Sequence, residues 1–494
     1  MSKLMRKVVS VMALASFVMP LCGCDRNSVN SVDVFPITIM TSAAVGNSVT
    51  PDSPVKQKVE ELTATKLDIK FIPSDSYPEN LNTTLASGNL PMILYIDQNT
   101  PNIISAIRND AFWDITDYIK DYENLSKANP VVLNNMSIDG RVYGLYRGRN
   151  LGRFGYAYRK DWLENLGMSE PTTVDEFYNM LKAFTYNDPD GNGIDDTYGM
   201  TVTTSDITFN NFAVWNGAPN GWGFDENNKL IPAHLTEEYF ETVKLFKKMA
   251  DEGLINPDYI IMHAEGWNEP FINGKSGVIL DTCDRAIPLE AELKKNNPSG
   301  KVGVAGVINN RVRPHLGYSG YFAFPKSSVK DEETLKNLLQ FMDDCCDGEV
   351  FDLMRYGIEG RHYDMIDGFI QQRTGADVPR NEINDFNQVL TFIGQEDGTK
   401  LVQTDMQKEV ARVQKDNEQY AVANPAEALI SETYAKKGTE LDKVINDARI
   451  KYMSGQLNDD EYMIEMQKWR YMGGDDVVRE MNEEYEKATK NKNE

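Results

Sequence analysis

The alternation of apolar and polar residues near the start of the chain predicts a repeated strand–helix pattern. Short apolar or alternating runs at 35–40, 67–71 and 92–96 are typical of buried strands. Between them, apolar residues recur every three or four positions at 53–65 and again at 81–91, which predicts amphipathic helices. Strands and helices in strict alternation form parallel β-α-β units, so the pattern predicts the α/β class.

The carboxyl ends of such strands are the places where parallel sheets bind their ligands. Asp97 directly follows the predicted strand at 92–96, and Asp281 follows a further apolar strand at 276–280. We therefore take both carboxylates as candidate ligand contacts. Other polar residues at these strand ends are Thr41, Ser42, Gln98 and Arg285.

Later segments show clear helix boundaries. A helix is predicted over 174–186, because Thr173 and Glu176 have the spacing of a capping box. From 404 onward the chain is mostly helical and charged, with a break at Pro425. These C-terminal helices are expected to extend to about residue 490 and to add to the α/β body.

The overall charge limits the partners. The 494 residues carry a formal charge of −24, with 75 acidic against 51 basic side chains. Nucleic acids and anionic membrane surfaces attract basic faces, so neither is expected as a partner. The length predicts two or more domains or lobes, and a hydrophobic content of 41% permits a sizeable core.

The N-terminus reads as a targeting segment. Three basic residues precede an apolar run at 8–20 that is too short to span a bilayer. The run ends in Leu-Cys-Gly-Cys at 21–24, which resembles a bacterial lipobox with Cys24 as the acylated residue. This predicts a signal peptide at 1–23, a polar tether at 24–33 and a lipid anchor on the extracytoplasmic face of the cell membrane. An ordinary secretory signal is the alternative.

Cleavage before Cys24 removes three positive charges and no acidic residue, so the mature chain would carry −27. Three further cysteines would then remain, namely Cys283, Cys345 and Cys346. An odd number of cysteines cannot all pair within one chain, and no Cys/His cluster has zinc-site spacing. We interpret these cysteines as small buried residues.

A stretch at 188–199 resembles the first half of an EF-hand loop. Side-chain oxygens stand at alternate positions and Gly193 occupies the place where such a loop turns sharply. We expect a structural Ca²⁺ ion here, although Gly199 stands where a full EF-hand has a bidentate Glu. A turn that binds nothing is the alternative. The predicted calcium ligands are Asp188, Asp190, Asn192, the carbonyl of Ile194, and Asp196.

Aromatic and arginine residues supply the remaining candidates. Trp215, Trp222 and Trp267 lie in or near Gly/Asn-rich stretches, where a flat ring could stack on the C–H face of a sugar. Each could equally fill a core. Arg147, near Arg149 and Arg153, could clamp a carboxylate or pair with the abundant acidic residues. The full set of candidate ligand contacts is Trp215, Trp222, Trp267, Asp97, Arg147, Asp281 and Tyr321.

Five short motifs, in this order and spacing, identify a resemblance. They are Leu-Ala-Ser-Gly-Asn-Leu-Pro at 85–91, Asp-Gly-Arg-Val-Tyr-Gly at 139–144, Tyr-Arg-Lys-Asp-Trp-Leu-Glu-Asn-Leu-Gly at 158–167, Phe-Ile-Asn-Gly-Lys-Ser-Gly at 271–277 and Gly-Tyr-Phe-Ala-Phe-Pro at 320–325. The chain resembles the extracellular solute-binding proteins, family 1, of bacterial ABC importers for sugars. Its calcium loop resembles that of alginate-oligosaccharide-binding members, which have a Glu ligand where this chain has Thr197.

The resemblance implies two α/β lobes of the type II periplasmic-binding-protein-like fold, each a mainly parallel sheet flanked by helices. We expect a first lobe at 34–147 plus 306–346, and a second at 148–305 plus 347–494 that includes C-terminal helices at 404–490. Chain crossings are expected near 146–153, 306–309 and 346–355.

The resemblance also implies a function. A monomeric lipoprotein would close its hinge on an extracellular oligosaccharide and deliver the sugar to an ABC permease, without catalysis. No Gly-rich ATP-binding motif is present in the sequence. Three alternatives stay open at this stage, which are a secreted glycosidase, a surface receptor without transport, and a binding protein for a peptide or another polar solute.

Overall fold

The computed structural model describes residues 34–263, 266–394 and 400–491. The predicted signal peptide, the tether and Cys24 lie outside the described residues. Within the described ranges, no helix combines the length and apolar character that crossing a membrane requires.

The first sheet has five strands in the order β2-β1-β3-β11-β4. Its strands are β1 (Phe35–Ala43), β2 (Thr65–Pro73), β3 (Ile93–Ile96), β4 (Gly144–Gly148) and β11 (Tyr318–Ala323). β1 runs parallel to both β2 and β3, whereas β11 is antiparallel to β3 and β4. The predicted β-α-β start is therefore present, and the late strand β11 enters it from a distant part of the chain.

Helices cover this sheet: α1 (Pro54–Thr63), α2 (Tyr77–Ser87), α3 (Pro101–Arg108), α4 (Pro130–Met136), α11 (Glu332–Asp344) and α12 (Gly348–Tyr356). Local chemistry defines where they begin. Ser53 caps α1 by accepting from the amides of Val55 and Lys56, and Thr100 caps α3. Pro stands in the first turn of both helices, where no intrahelical N–H is required.

The second sheet has four strands in the order β10-β5-β9-β6. They are β5 (Phe154–Arg159), β6 (Tyr198–Thr201), β9 (Ser276–Thr282) and β10 (Val302–Ala305), flanked by α5 (Lys160–Asn165), α6 (Val174–Tyr186), α7 (Asp206–Trp215), α8 (Glu237–Asp251), α9 (Glu269–Ile272) and α10 (Ala286–Asn296). Only the β6–β9 pair is parallel, since β5 is antiparallel to β9 and β10. Both sheets are thus mixed rather than mainly parallel.

Two hairpins and four late helices complete the fold. The hairpins are β7 (Trp222–Phe224) with β8 (Leu230–Pro232), and β12 (Tyr363–Ile366) with β13 (Phe369–Gln372). The late helices are α13 (Asp405–Asn417), α14 (Glu432–Met453), α15 (Asp459–Trp469) and α16 (Asp475–Asn491). The chain turns between α15 and α16 at Gly473, whose φ of 136° favours glycine.

Each sheet has its own core, and the cores define two lobes. One apolar cluster contains residues of the first sheet together with Phe351, Phe386 and Leu390. The second sheet packs with α6, α7, α8 and α14, and α13 covers its other side.

The segment from Phe351 to Ile393 differs from the sequence-based division, which assigned 347–494 to the second lobe. It packs on the first lobe, because its apolar side chains join that core and because Asp385 accepts hydrogen bonds from the amides of Ala44 and Val45 at 2.7 and 2.9 Å. The last crossing lies between Leu401 and Met406 rather than near 346–355.

Candidate functional site

A cleft of about 1150 Å³ separates the two lobes. The first lobe contributes the segment that follows β3, from Gln98 to Ile104, and Asn135 at the end of α4. The second lobe contributes the start of α7, with Asp206 and Asn210, and the β7–β8 hairpin. Both lobes therefore face one cavity at the strand ends where α/β proteins bind ligands.

Trp222 lies on the second-lobe wall of this cleft. It is the first residue of β7 and pairs with Pro232 of β8, and its ring is half-buried. Gly221 precedes it with φ at +72°, a conformation that lets the chain turn into the hairpin. Trp222 consequently offers an aromatic surface to the cavity from a fixed backbone.

His234 lies beside this hairpin. Its ring meets Trp469 at 4.3 Å between centroids, in an edge-on arrangement. Burial lowers the pKa of His234 to about 3, so the ring is neutral near pH 7. Its Nε2 is buried and has no hydrogen-bond partner among the described residues.

The crossing between β10 and β11 forms the floor of the cleft. The Arg313 guanidinium carbon lies 4.8 Å from the centroid of the Phe154 ring, and Nη1 is buried without a hydrogen-bond partner among the described residues. His315 packs on the same ring at 5.6 Å, and burial lowers its pKa to about 4. Glu427, on the tail segment that lines the cleft, has a pKa raised by burial. The floor thus combines a neutral imidazole with an incompletely paired guanidinium.

The late helix α14 closes one side of the cleft. Tyr434 donates to Asp442 at 2.8 Å, and both residues line the cavity. Farther along the same face, Arg449 forms an ion pair with Asp206 of α7 and lies over the ring of Phe209 at 4.5 Å. This pair ties the late helices to the second lobe, so the added C-terminal segment becomes part of the site.

Two of the predicted tryptophans lie in the core. Trp215 is 1% exposed, donates to the carbonyl of Gly306 at 3.0 Å and packs on Phe177 at 5.5 Å. Trp267 is 2% exposed and donates to the carbonyl of Thr201 at 3.2 Å. Because protein atoms already cover these rings, their placement does not support stacking on a sugar.

The predicted strand-end carboxylates differ in placement. Asp281 is buried and accepts from Nε of Arg285 at 2.6 Å, so a neighbouring side chain occupies it. Asp97 is half-buried and immediately precedes Gln98 of the cleft wall.

Tyr321 and Arg147 have supporting or separate positions. Tyr321 is buried and donates to Asn99 at 2.7 Å, which orients an amide that lines the cleft. Burial raises the pKa of Tyr321. Arg147 lines a second, smaller pocket. Of the seven predicted contacts, Trp222 alone lines the large cleft.

Several residues of the cleft were not predicted from the sequence. Asn210, His234, Arg313 and Tyr434 all line the cavity, yet none lies in a recognisable motif. The one available signal was position, since Arg313 follows closely on the predicted crossing at 306–309.

The predicted calcium loop has the turn that its glycines require. Gly191 and Gly193 have φ at +70° and +76°, and Asp188 accepts from the amides of Asn192 and Gly193 at 3.0 Å each. Asp196 is ion-paired with Lys275 through one oxygen, and its Oδ1 is buried without a partner among the described residues.

The loop's donors are all oxygen, which suits a hard cation such as Ca²⁺. The described ranges, however, bring no three His, Cys, Asp or Glu side chains together in a group that could hold a metal. Asn192 and the carbonyl of Ile194 would have to complete any such site.

Two lobes with separate cores, several chain crossings and a ligand-sized cleft between them define a two-lobed solute-binding protein of the type II arrangement. The chain belongs to the bacterial extracellular solute-binding protein family, whose model matches residues 46–343. This confirms the predicted family and the predicted two-lobed α/β fold of type II.

Two relatives from Bacillus subtilis (strain 168) align over nearly the whole chain. Lipoprotein LipO is 35% identical, with 97% of this chain and 98% of the relative covered. The polygalacturonan/rhamnogalacturonan-binding protein YtcQ is 34% identical, with the same coverage of both chains.

Solved structures share the fold at lower identity. An extracellular solute-binding protein from Bifidobacterium longum subsp. infantis has a TM-score of 0.70 at 17% identity, and the match covers 92% of this chain and 98% of that one. An EF-hand mutant of the Streptococcus pneumoniae substrate-binding protein FusA, in complex with fructo-nystose, has a TM-score of 0.63 at 17% identity, covering 92% and 100%.

Proposed function

We propose that this protein binds an extracellular oligosaccharide between its lobes and delivers it to the permease of an ABC importer. The observation that carries the proposal is the large cleft, to which both lobes contribute. A ligand held there gains contacts from the two sides only when the lobes approach, so binding favours the closed form.

The cleft's size and lining favour an oligosaccharide. Its volume of about 1150 Å³ exceeds the roughly 300–1,000 Å³ of ordinary small-molecule pockets. Trp222 can stack on the apolar face of a sugar ring, while Gln98, Asn135 and Asn210 can exchange hydrogen bonds with hydroxyls. The polygalacturonan/rhamnogalacturonan-binding protein YtcQ and FusA in complex with fructo-nystose support the same ligand class.

Lipidation of Cys24 would hold the protein on the outer face of the cell membrane, where it would act as a monomer beside its permease. The lipobox-like sequence and the lipoprotein relative LipO support this part of the proposal. A Cys24→Ala variant expressed in a bacterium should move from the membrane fraction to the medium or periplasm. Continued membrane association would contradict lipid anchoring.

A structural Ca²⁺ ion is proposed for the loop at 188–196. Asp188, Asp190, Asn192, the carbonyl of Ile194, and Asp196 would hold the ion, which would supply charge neutralisation within the loop. The unpartnered Oδ1 of Asp196 and the presence of an EF-hand in FusA support the assignment. Thr197 stands where the alginate-oligosaccharide-binding members have a Glu ligand, so Asp195 or water would complete the coordination.

A saccharide panel tests the function and separates binding from catalysis. Melting temperature is measured with each sugar, and the sugar is then recovered and analysed by chromatography. A binding protein should melt later with its ligand, by an amount that grows with concentration, and return the sugar intact. Cleaved sugar would indicate a glycosidase, and no shift with any saccharide would contradict the proposal.

A further inference from the structure

A second pocket, of about 280 Å³, lies between the lobes where β4 and β9 end. Four arginines line it, Arg147, Arg149, Arg153 and Arg355, and Asp284 is the one acidic residue among the described residues of its lining. The whole chain carries 75 acidic and 51 basic residues, so this local excess of positive charge runs against the composition. Such a concentration calls for an anionic partner.

Arg147 is buried, and neutral groups hold it in place. Its guanidinium donates to Gln388 at 2.6 Å and to the hydroxyl of Tyr95 at 2.9 Å, and it stacks over the Tyr95 ring at 4.5 Å. No described carboxylate forms an ion pair with it. Arginine stays protonated even where burial lowers its pKa, so Arg147 is a fixed charge without a counter-ion among the described residues.

Two of the other arginines, Arg153 and Arg355, leave an excess of positive charge in place. Arg153 donates to one oxygen of Asp284 at 2.8 Å, and Gln414 donates to the other oxygen at 3.0 Å. Asp284 is therefore fully engaged and balances a single arginine. Arg355 lies over the Phe392 ring at 5.2 Å, and the described chain gives it no ion pair with a carboxylate.

We propose that this pocket binds a carboxylate group of the ligand, which makes the substrate class an acidic oligosaccharide containing uronic acid units. The inference rests on the proposed function and deepens it. A planar guanidinium matches a carboxylate with two parallel hydrogen bonds, and an uncompensated buried charge gains most from such a partner. Arg153 lines this pocket, and the next residue in the chain, Phe154, lines the large cleft.

Residues of both lobes line the small pocket. Arg147 and Gln388 belong to the first lobe, whereas Asp284 follows β9 of the second. Closure would therefore bring charged groups of both lobes around a carboxylate. The affinity would then depend on whether the sugar carries a negative charge.

Calorimetric titration with three sugars of equal length tests the proposal. The probes are trigalacturonate, its fully methyl-esterified form and the neutral maltotriose, each at low and at high NaCl. We expect trigalacturonate to bind at least about tenfold tighter than its ester, because the ester cannot form the charge-assisted pair. This preference should shrink at high salt. Equal affinities for acid and ester would overturn the inference.

Variants locate the effect in the pocket. Arg355→Gln should reduce the acid-over-ester preference several-fold, and Arg147→Lys should reduce it while keeping the charge. Arg373→Gln is the matched control, since Arg373 pairs with Asp364 on a hairpin and lines neither cavity. An unchanged preference in a folded Arg355→Gln protein would assign the selectivity elsewhere and overturn the proposal.

The outcomes separate this inference from the proposed function. Binding of neutral and acidic sugars with the same affinity would contradict the carboxylate pocket alone. Failure of every saccharide to bind would contradict the proposed function. Competition by free galacturonate and by inorganic phosphate distinguishes a uronate pocket from a general anion site. Phosphate displacing the trisaccharide as well as galacturonate does would overturn the assignment to uronic acid.

Discussion

Trp215 and Trp222 are seven residues apart in one stretch rich in Gly and Asn, and the fold places them in opposite environments. The ring of Trp215 is enclosed by Tyr156, Phe177 and Phe212 at 5.5 to 5.7 Å. The ring of Trp222 is half-buried at the edge of the cleft. The same type of side chain is therefore part of the core on one side of a short loop and part of the cleft wall on the other.

The difference follows from the element that carries each residue. Trp215 is the last residue of α7, and its indole N–H finds a buried carbonyl at Gly306. Trp222 opens β7, a strand in a two-stranded hairpin with little sheet behind it. An aromatic ring on a packed helix is covered by its neighbours, whereas one on an isolated hairpin keeps a free face.

Replacing the core ring should have the largest effect. Trp215→Ala is expected to lower the free energy of unfolding by about 3–5 kcal/mol, because it empties an aromatic cage and leaves the Gly306 carbonyl without its donor. Denaturant titration followed by fluorescence or circular dichroism measures the change. Trp222→Ala is the control and should cost far less. Equal losses for the two variants would break the distinction between core and cleft.

Calcium should stabilise the part of the second lobe that contains Trp215. The proposed loop follows α6, and Phe177 of that helix packs on Trp215. An ion that binds the folded loop adds about 2.7 kcal/mol at a hundredfold excess over its Kd. Melting temperature should therefore fall with EDTA and recover with Ca²⁺, and an Asp188→Asn protein should lose this response. Identical melting in EDTA and Ca²⁺ would contradict the metal assignment.

Mild acid should lower the free energy of unfolding through two histidines that line the cleft, His315 and His234. Burial lowers the pKa of His315 to about 4 and that of His234 to about 3, against an unfolded value near 6.5. Between those limits the unfolded chain binds more protons, so stability falls as the pH drops below about 6.5. We expect each histidine to contribute a loss of about 2 kcal/mol between pH 7 and pH 5, measured by denaturant titration. His234→Gln should flatten this slope, and an unaltered slope would assign the effect to other groups.

Local signals in the sequence were enough to predict many elements of the fold. The predicted helix at 174–186 is observed as Val174–Tyr186, and Thr173 and Glu176 form the capping box that its spacing indicated. Such caps depend on a few neighbouring residues, so no tertiary information is needed to find them. The first strands followed for the same reason, because their apolar runs are continuous.

The composition of the cleft could not be predicted in this way. Asn210, His234, Arg313 and Tyr434 come from four distant segments that only the tertiary fold brings together. The packing of Phe351 in the first-lobe core likewise depends on contacts with residues that are distant in the sequence. Trp215 shows the limit most directly, because its burial depends on Tyr156 of another strand and on Gly306 of a crossing.

The smallest expected effect is on ligand affinity, and it tests whether the ligand uses the free face of Trp222. Trp222→Ala should weaken oligosaccharide binding by roughly 3- to 10-fold, since one aromatic contact contributes about 0.5–1.5 kcal/mol beyond its buried area. Titration calorimetry with the best ligand from the saccharide panel measures the loss, and Trp222→Phe should retain most of the affinity because a flat ring remains. Trp267, which is buried and lines neither cavity, offers the opposite pattern. Its replacement should lower melting temperature more than affinity per folded molecule. A Trp222→Ala protein that bound as well as the parent chain would show that the free face of this ring is not used by the ligand.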